Sequence, residues 1–428
     1  MNAPIVNAPI ENFRKHWTSS PEGFRVPYEV FTDHAYYDQE QEKIFRGETW
    51  SFVGLEAELP NKGDFKATAI GDTPVIVTRD QTGQIRVFKN RCAHRGALLV
   101  REPHGNVKSF DCVYHQWSFD LTGALRGVPM RRGVRGEGGM PPAFDMANFG
   151  LDALRVEALN GVIFASFSST VEPLVDYLGE EVVDTIKRIF NRPIRIMGDQ
   201  RQYVHGNWKL YAENTRDPYH GSLLHLFHNT FGLYRATQTG TAHMDPSKRH
   251  SVLKVVATGA PTNESEDKEV YKDVRSYNTD FHLQDPSVLA GRKEFNDGST
   301  LIINAIFPNL LLQQIANTLA VRQSVTYAPD AFEIVWTLFG YEDDDEEMQM
   351  IRMKQANLIG PAGLISMEDG EAVEIVQEAV VRDGNKTSLL AMGGGRAENV
   401  EHMITEAPII GFWEGYCRHM GITQVSAV

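Results

Sequence analysis

The chain has 428 residues, 42% of them hydrophobic, enough to build large cores in two or more domains. A formal net charge of -14 argues against nucleic acid or an anionic membrane as partner, since both are bound through clustered Lys and Arg. Three cysteines cannot form a disulfide framework, and neither a signal-like start nor a bilayer-length apolar run is present. The expectation is a soluble cytoplasmic protein whose partners are small molecules or proteins.

In chain order, a tail with a near-duplicated NAPI and a Pro-containing segment leads to a helix predicted over residues 38–46. Short apolar runs broken by turns follow: DFKATAIG, TPVIVTRD, the turn Gln81-Thr82-Gly83, and QIRVFKNR. These read as antiparallel strands. WSFDLTGALRG turns at residues 121–123, residues 126–140 form an Arg- and Gly-rich solvated loop, and GVIFASF is a further strand. From Leu174 a helical period takes over, with DYLGEEVVDTIKRIF as one amphipathic helix. The charge runs at 263–273 and 342–347 are solvated loops or helix starts without chemistry. The organisation is thus an N-terminal segment (1–48), a small β domain (49–168) and a larger mixed domain (169–428) on which the segment is expected to pack.

Two ligand pairs mark the β domain: Cys92-x-His94 and Cys112-x-x-His115. A Rieske [2Fe-2S] centre holds one iron with two thiolates and the other with two imidazoles, which suits two loops that each supply one Cys and one His. Zinc sites more often pair Cys with Cys and His with His. Cys417 is left as a free or buried thiol.

A second metal is suggested by His220, His225 and His228 in NWKLYAENTRDPYHGSLLHLFHNTF. Asp217 and Pro218 read as N-cap and N1 of a helix carrying them. Residues five apart point roughly 140° from each other on a regular helix, so His220 and His225 need a distorted helix or an ion near its first turn; His225 and His228 are the rival pair. In GPAGLISMEDGEAVEIVQEAV a helix carries an inward stripe of Val373, Val376 and Val380 with Glu371, Glu374 and Glu378 outside. Asp369 lies on that stripe. A buried carboxylate costs several kcal/mol unless it is paired or binds a cation, and two imidazoles with one carboxylate form the facial triad of non-haem Fe(II) oxygenases. Asp369 is therefore the third ligand, with Glu368 its competitor.

The CxHRG and CxYHxW pattern, in which Val113 replaces a usual proline and loosens one turn, resembles the Rieske signature of ring-hydroxylating oxygenases. The run Glu213, Asn214, Asp217, Tyr219, His220, His225 and the later GPAG…MED are similar to the iron motif of the large subunits of that family. The resemblance implies an α+β chain in which an antiparallel β Rieske domain is inserted in a helix-grip catalytic domain with an antiparallel sheet and flanking helices. It implies His220, His225 and Asp369 as iron ligands, which excludes His228, and Asp217, with Asn214 beside it, as the catalytic junction. There Asp217 would bridge to the cluster histidine of the next subunit, His115 by position. It further implies O2 as co-substrate and electrons from NAD(P)H through a reductase, in some members with a ferredoxin, as well as a small beta subunit and an alpha3 or alpha3beta3 assembly.

For the substrate, Arg322 closes the apolar run LLLQQIANTLAVRQ and Arg396 follows the glycines 393–395. An Arg in an apolar pocket would clamp a carboxylate through two parallel hydrogen bonds. VRQ, LIGPAG and GGxR resemble the terephthalate, salicylate and anthranilate oxygenases, which implies hydroxylation of a benzoate-type acid, as a cis-diol or a single phenol. His228 could hydrogen-bond a ring substituent, and Gly221 makes room near the iron. The competing readings are a zinc-stabilised binding protein and a Rieske O-demethylase or monooxygenase without a small subunit.

Overall fold

A seven-stranded antiparallel sheet forms the floor of the larger domain. Its spatial order is Ile194–Val204, Ala331–Tyr341, Thr318–Ala328, Leu310–Ile315, Ser299–Ile306, Ser251–Val256 and Gly240–Met244. The computed structural model describes residues 17–20, 22–257, 264–422 and 425–426; the NAPI tail lies outside them. The apolar run around Arg322 is two strands rather than one, because Ala316 takes a positive φ of 50° and turns the chain. Arg322 therefore sits mid-strand, opposite Leu311 on one side and Trp336 on the other.

Helices cover this sheet. Leu364–Val380 begins at Gly363, whose backbone is extended, and buries Asp369, Gly370, Val373, Gln377 and Val380. The inward stripe thus passes through Gln377, and Val376 is exposed. The Gln377 side chain is drawn inward by accepting the amide of Asn207 at 3.0 Å. The amphipathic stretch after Leu174 is likewise two helices, Leu174–Leu178 and Glu180–Ile189, broken where Gly179 adopts a φ of 75°.

Near the N-terminus the predicted helix starts earlier, at His34, where Asp33 accepts the amide of Ala35, and its last turn (Gln41–Phe45) widens to a π-helix. This places Glu40, fully buried, against the core of the larger domain. It lies 2.6 Å from the Lys209 ammonium and accepts hydrogen bonds from the Trp208 indole at 2.8 Å and the Tyr416 hydroxyl at 2.6 Å. This buried ion pair and its two flanking hydrogen bonds tie three distant segments to one another, since removing one charged partner would strand the other.

The β domain has three small sheets. Ser51–Leu55 pairs with Val162–Ser166 and so brings the two ends of the domain together. The hairpins Thr73–Arg79/Ile85–Lys89 and Ser118–Phe119/Leu125–Gly127 turn on one sequence pattern, D-x-T-G-x-x-R. In each, an Asp (Asp80 or Asp120) accepts the amides two and four residues on and the Nε of the closing arginine, Arg86 or Arg126. Asp80 is fully buried; burial would raise its pKa, but the bonds from Thr82, Arg86 and Gln84 hold it down at about 2. The domain has its own core, in which Cys92 and Cys112 lie among Phe65, Phe88, Leu99 and Trp117.

Candidate metal centres and cavity

The two Cys/His loops of the β domain make the same turn. The carbonyl of each cysteine accepts the amide four residues on (Gly96 at 3.0 Å, Gln116 at 2.8 Å), and its amide donates to the carbonyl five residues on (Ala97 at 2.8 Å, Trp117 at 2.9 Å). A positive φ at Gly96 (75°) and Gln116 (54°) closes each turn. Val113 is exposed at the tip of the second loop, and the turn is closed without proline. The thiols are buried and the imidazoles half-buried, with the rings of His94 and His115 4.6 Å apart. His94 stacks flat on Trp117 at 4.5 Å, and its Nδ1 is buried with no protein partner. Burial pushes the Cys92 thiol up, and the neighbouring Cys112 adds to the effect. Two buried sulfurs beside an unpartnered imidazole nitrogen suit a cationic iron-sulfur group that supplies the missing bonds.

One supporting residue has no signature in the motif. Asn90, buried two residues before the first cysteine, accepts the amides of Leu99 (3.0 Å) and Val100 (2.9 Å) and donates to the Val100 carbonyl at 2.7 Å. It fixes the far end of the first loop. An asparagine just past a strand end, with no Gly or Pro beside it, was the available signal.

The second centre forms where the helical run breaks. Gly221–Leu224 and Leu226–Thr230 are separate short helices, and His225 between them is extended (φ -86°, ψ 95°). The break turns His225 toward His220. Both Nε2 atoms then lie near one oxygen of Asp369, at 3.3 Å for His220 and 3.2 Å for His225, and the ligand atoms of all three lie within 4.8 Å of one another. Asn214 donates to the same Asp369 oxygen at 3.0 Å. Burial would raise Asp369, but His225 and His220 hold it well below the usual carboxylate range. Burial likewise disfavours the His220 imidazolium, yet Asp217 and Asp369 lift its pKa to about 10. The site is thus built to hold positive charge.

Glu368 is not a rival for the metal position. Its Oε2 lies 2.7 Å from Nδ1 of His225, on the far side of the ring, where a carboxylate fixes the tautomer that leaves Nε2 free for a metal. Asp217 divides its two oxygens. Oδ1 accepts the amides of Tyr219 (2.9 Å) and His220 (3.2 Å), while Oδ2 faces Nδ1 of His220 at 3.5 Å. Glu213 accepts the Trp413 indole at 2.5 Å, and burial raises its carboxyl to about 8.

A cavity opens beside this centre, with an empty volume of about 550 Å³ including its mouth. Its far wall is apolar, from Leu253, Leu301, Ile303, Leu311 and Ile315. Arg322 lines it, buried, stacked at 3.9 Å on Trp336, and donating to the Tyr211 hydroxyl at 3.0 Å and to Gln313. No carboxylate of the described residues pairs with Arg322, and its Nε is buried without a partner. His228 also lines the cavity; burial and the nearby His225 lower its pKa to about 3, so the ring is neutral at physiological pH. Arg396 is elsewhere: it is exposed on the glycine loop, 3.9 Å from Glu398, and does not reach the cavity. Glycines 393–395 all take positive φ and carry that loop outward. Gly221 leaves no free room either, because a Cβ there would meet the Tyr234 ring at 2.8 Å; the ring fills that space.

Comparison with known proteins agrees with this pair of centres. The family profile described as the Rieske [2Fe-2S] domain matches residues 49–137, and that of the ring hydroxylating alpha subunit (catalytic domain) matches residues 188–419. The chain is 49% identical to the large subunit of anthranilate 1,2-dioxygenase from Burkholderia cepacia, over 98% of this chain and 99% of that one. It is 45% identical to the terminal oxygenase component subunit alpha 2 of terephthalate 1,2-dioxygenase from Comamonas sp., over 93% and 95% of the two chains. Identity to the large oxygenase component of salicylate 5-hydroxylase from Ralstonia sp. is 42%, over 93% and 94%.

Proposed function

The chain belongs to the alpha subunits of the Rieske ring-hydroxylating oxygenases, and from that premise we propose how its residues divide the work. It is a terminal oxygenase that hydroxylates aromatic carboxylates such as anthranilate, terephthalate or salicylate, with a Rieske [2Fe-2S] cluster and a mononuclear iron at His220, His225 and Asp369. The zinc-stabilised alternative falls with that membership. Cys92, His94, Cys112 and His115 hold the cluster. When bound, the cluster would supply single-electron transfer and the iron would supply O2 activation.

The protein supplies position and environment. Glu368 orients His225, Asn214 holds Asp369, and the apolar wall keeps water from the ring of the substrate. The observation that carries the substrate class is Arg322: a buried guanidinium with no protein carboxylate, facing an apolar cavity beside the metal position. An aromatic acid laid against the wall would complete it. The test is a single turnover of reduced holoenzyme with O2 and a mixture of anthranilate, salicylate, terephthalate and naphthalene, with products identified by mass. A hydroxylated acid is expected, and its mass gives one oxygen atom or two. Product from naphthalene alone would remove the role of Arg322.

Large-subunit relatives support a small subunit and a reductase as partners, with electrons coming from NAD(P)H, in some arrangements through a ferredoxin. An alpha3 or alpha3beta3 assembly would let Asp217 link His220 to His115 of the partner subunit. Asp217 has an oxygen to spare for the His220 side of such a bridge. Asp217→Asn should keep both metals and lose turnover. The pairing of Ser51–Leu55 with Val162–Ser166 and the contact of Glu40 with Lys209 support the proposed boundaries 1–48, 49–168 and 169–428. Among the described residues no helix is long and apolar enough to cross a membrane. We place the protein in the cytoplasm, where cysteines that form no disulfide stay reduced.

A further inference from the structure

Most polar groups on the cavity wall are already engaged. His220, His225 and Asp369 converge on the metal position, and Asn214 is spent on Asp369. Oδ1 of Asp217 takes two backbone amides, the Thr215 hydroxyl donates to the Ala212 carbonyl at 3.3 Å, and the Tyr234 hydroxyl donates to the Pro218 carbonyl at 2.7 Å. Two wall residues outside the iron ligands retain a buried polar atom with no protein partner: Arg322 through Nε and His228 through Nδ1. An unpaired polar atom in a buried site is costly, so a ligand that pairs with it is favoured over one that does not. If the aromatic acid takes Arg322, His228 is left for something else on the same molecule.

Its placement narrows what that can be. His228 follows the ligand His225 by one helical turn, with the two rings 5.2 Å apart and 70° between their planes. It is 4% exposed and lines the cavity. We propose that His228 is a specificity-determining residue that hydrogen-bonds an amino or hydroxyl substituent of the aromatic acid, beside the iron. An imidazole carries two ring nitrogens that can enter hydrogen bonds, which suits an amino or hydroxyl substituent. An unsubstituted benzoate, or a purely apolar ring, would leave the imidazole unpaired. The role rests on the aromatic-acid reading of the pocket and refines it from benzoate-type acids to those bearing a hydrogen-bonding ring substituent.

The test uses reduced holoenzyme in single turnover with O2 and an equimolar pair, anthranilate with benzoate and then salicylate with benzoate, with products quantified by mass. The wild-type protein should favour the substituted acid. His228→Leu, close in volume but without hydrogen bonds, should lower that preference by about tenfold or more, through KM rather than kcat. Iron content and cluster absorption should stay at wild-type levels, and His228→Gln, which keeps a donor and an acceptor, should recover part of the preference. A product ratio within about twofold of wild type in His228→Leu overturns the role. Loss of iron in both variants also overturns it, by making His228 a support of the metal site. If wild-type protein converts no acid at all, the aromatic-acid reading itself fails, and this shows before any variant is made.

Discussion

The two metal centres are built on opposite plans. The cluster loops are local: four ligands within 24 residues, two turns of one geometry, thiols inside and imidazoles toward solvent. The iron site is assembled from afar, from a broken helix at 220–225 and a carboxylate 144 residues further along the sequence, with His225 and Asp369 buried. A centre that must meet an outside electron donor benefits from exposed ligand edges, and one that handles substrate and O2 benefits from a dry wall. In the first, backbone hydrogen bonds close both ligand turns and the Asn90 side chain braces one of them; in the second, side-chain hydrogen bonds hold the ligands.

Substitutions can break that contrast or sharpen it. The largest effect is expected at Asp369→Ala, which should reduce single-turnover product on the order of 10³-fold or more, since the triad acts as a unit. Cluster absorption should not change; a parallel loss of colour would mean that the centres do not fold independently. Glu368→Gln should weaken iron binding by about 10–100-fold, read as iron retained after dialysis against a chelator. Equal retention would place the control of His225 elsewhere. On the cluster side, Asn90→Ala removes the partners of two amides and one carbonyl and should cost about 2 kcal/mol, seen as a lower midpoint for thermal bleaching of the cluster. Iron at the other site should be retained at temperatures below that midpoint.

The smallest effect is expected at Asp80→Asn, about 1 kcal/mol at pH 7. Because the folded pKa of Asp80 is depressed to about 2 from 3.8, its contribution is fully present above the unfolded value. It is lost as pH falls through the folded one. Urea titrations of wild type and variant should therefore converge on acidification toward pH 2, and a gap that persists there would assign the stability to packing.

How much of this was legible depended on distance along the chain. The Cys/His pairs and the strands around them were readable because ligands, turns and pairing partners are close in sequence. His220, His225 and Asp369 were readable as residue types, but not the device that joins them: residues five apart on a regular helix diverge, and only the extended backbone at His225 reconciles them. Glu368 looked like a competitor since adjacent carboxylates on one helix are alike by composition, and the partner of each is a tertiary fact. Arg322 and Arg396 were indistinguishable as arginines after apolar or glycine-rich stretches. Strand pairing buries one, and three successive left-handed glycines carry the other outward.

The interruption at His225 has a consequence for how the protein acquires its metal. Helices of four and five residues, such as Gly221–Leu224 and Leu226–Thr230, are far below the roughly 12 residues at which a helix begins to sustain itself in water. Their order depends on what they clasp. Native-state amide exchange should find residues 218–231 among the fastest of the catalytic core, and iron binding should slow them selectively. Protection factors there would report metal occupancy molecule by molecule, in protein that never turns over.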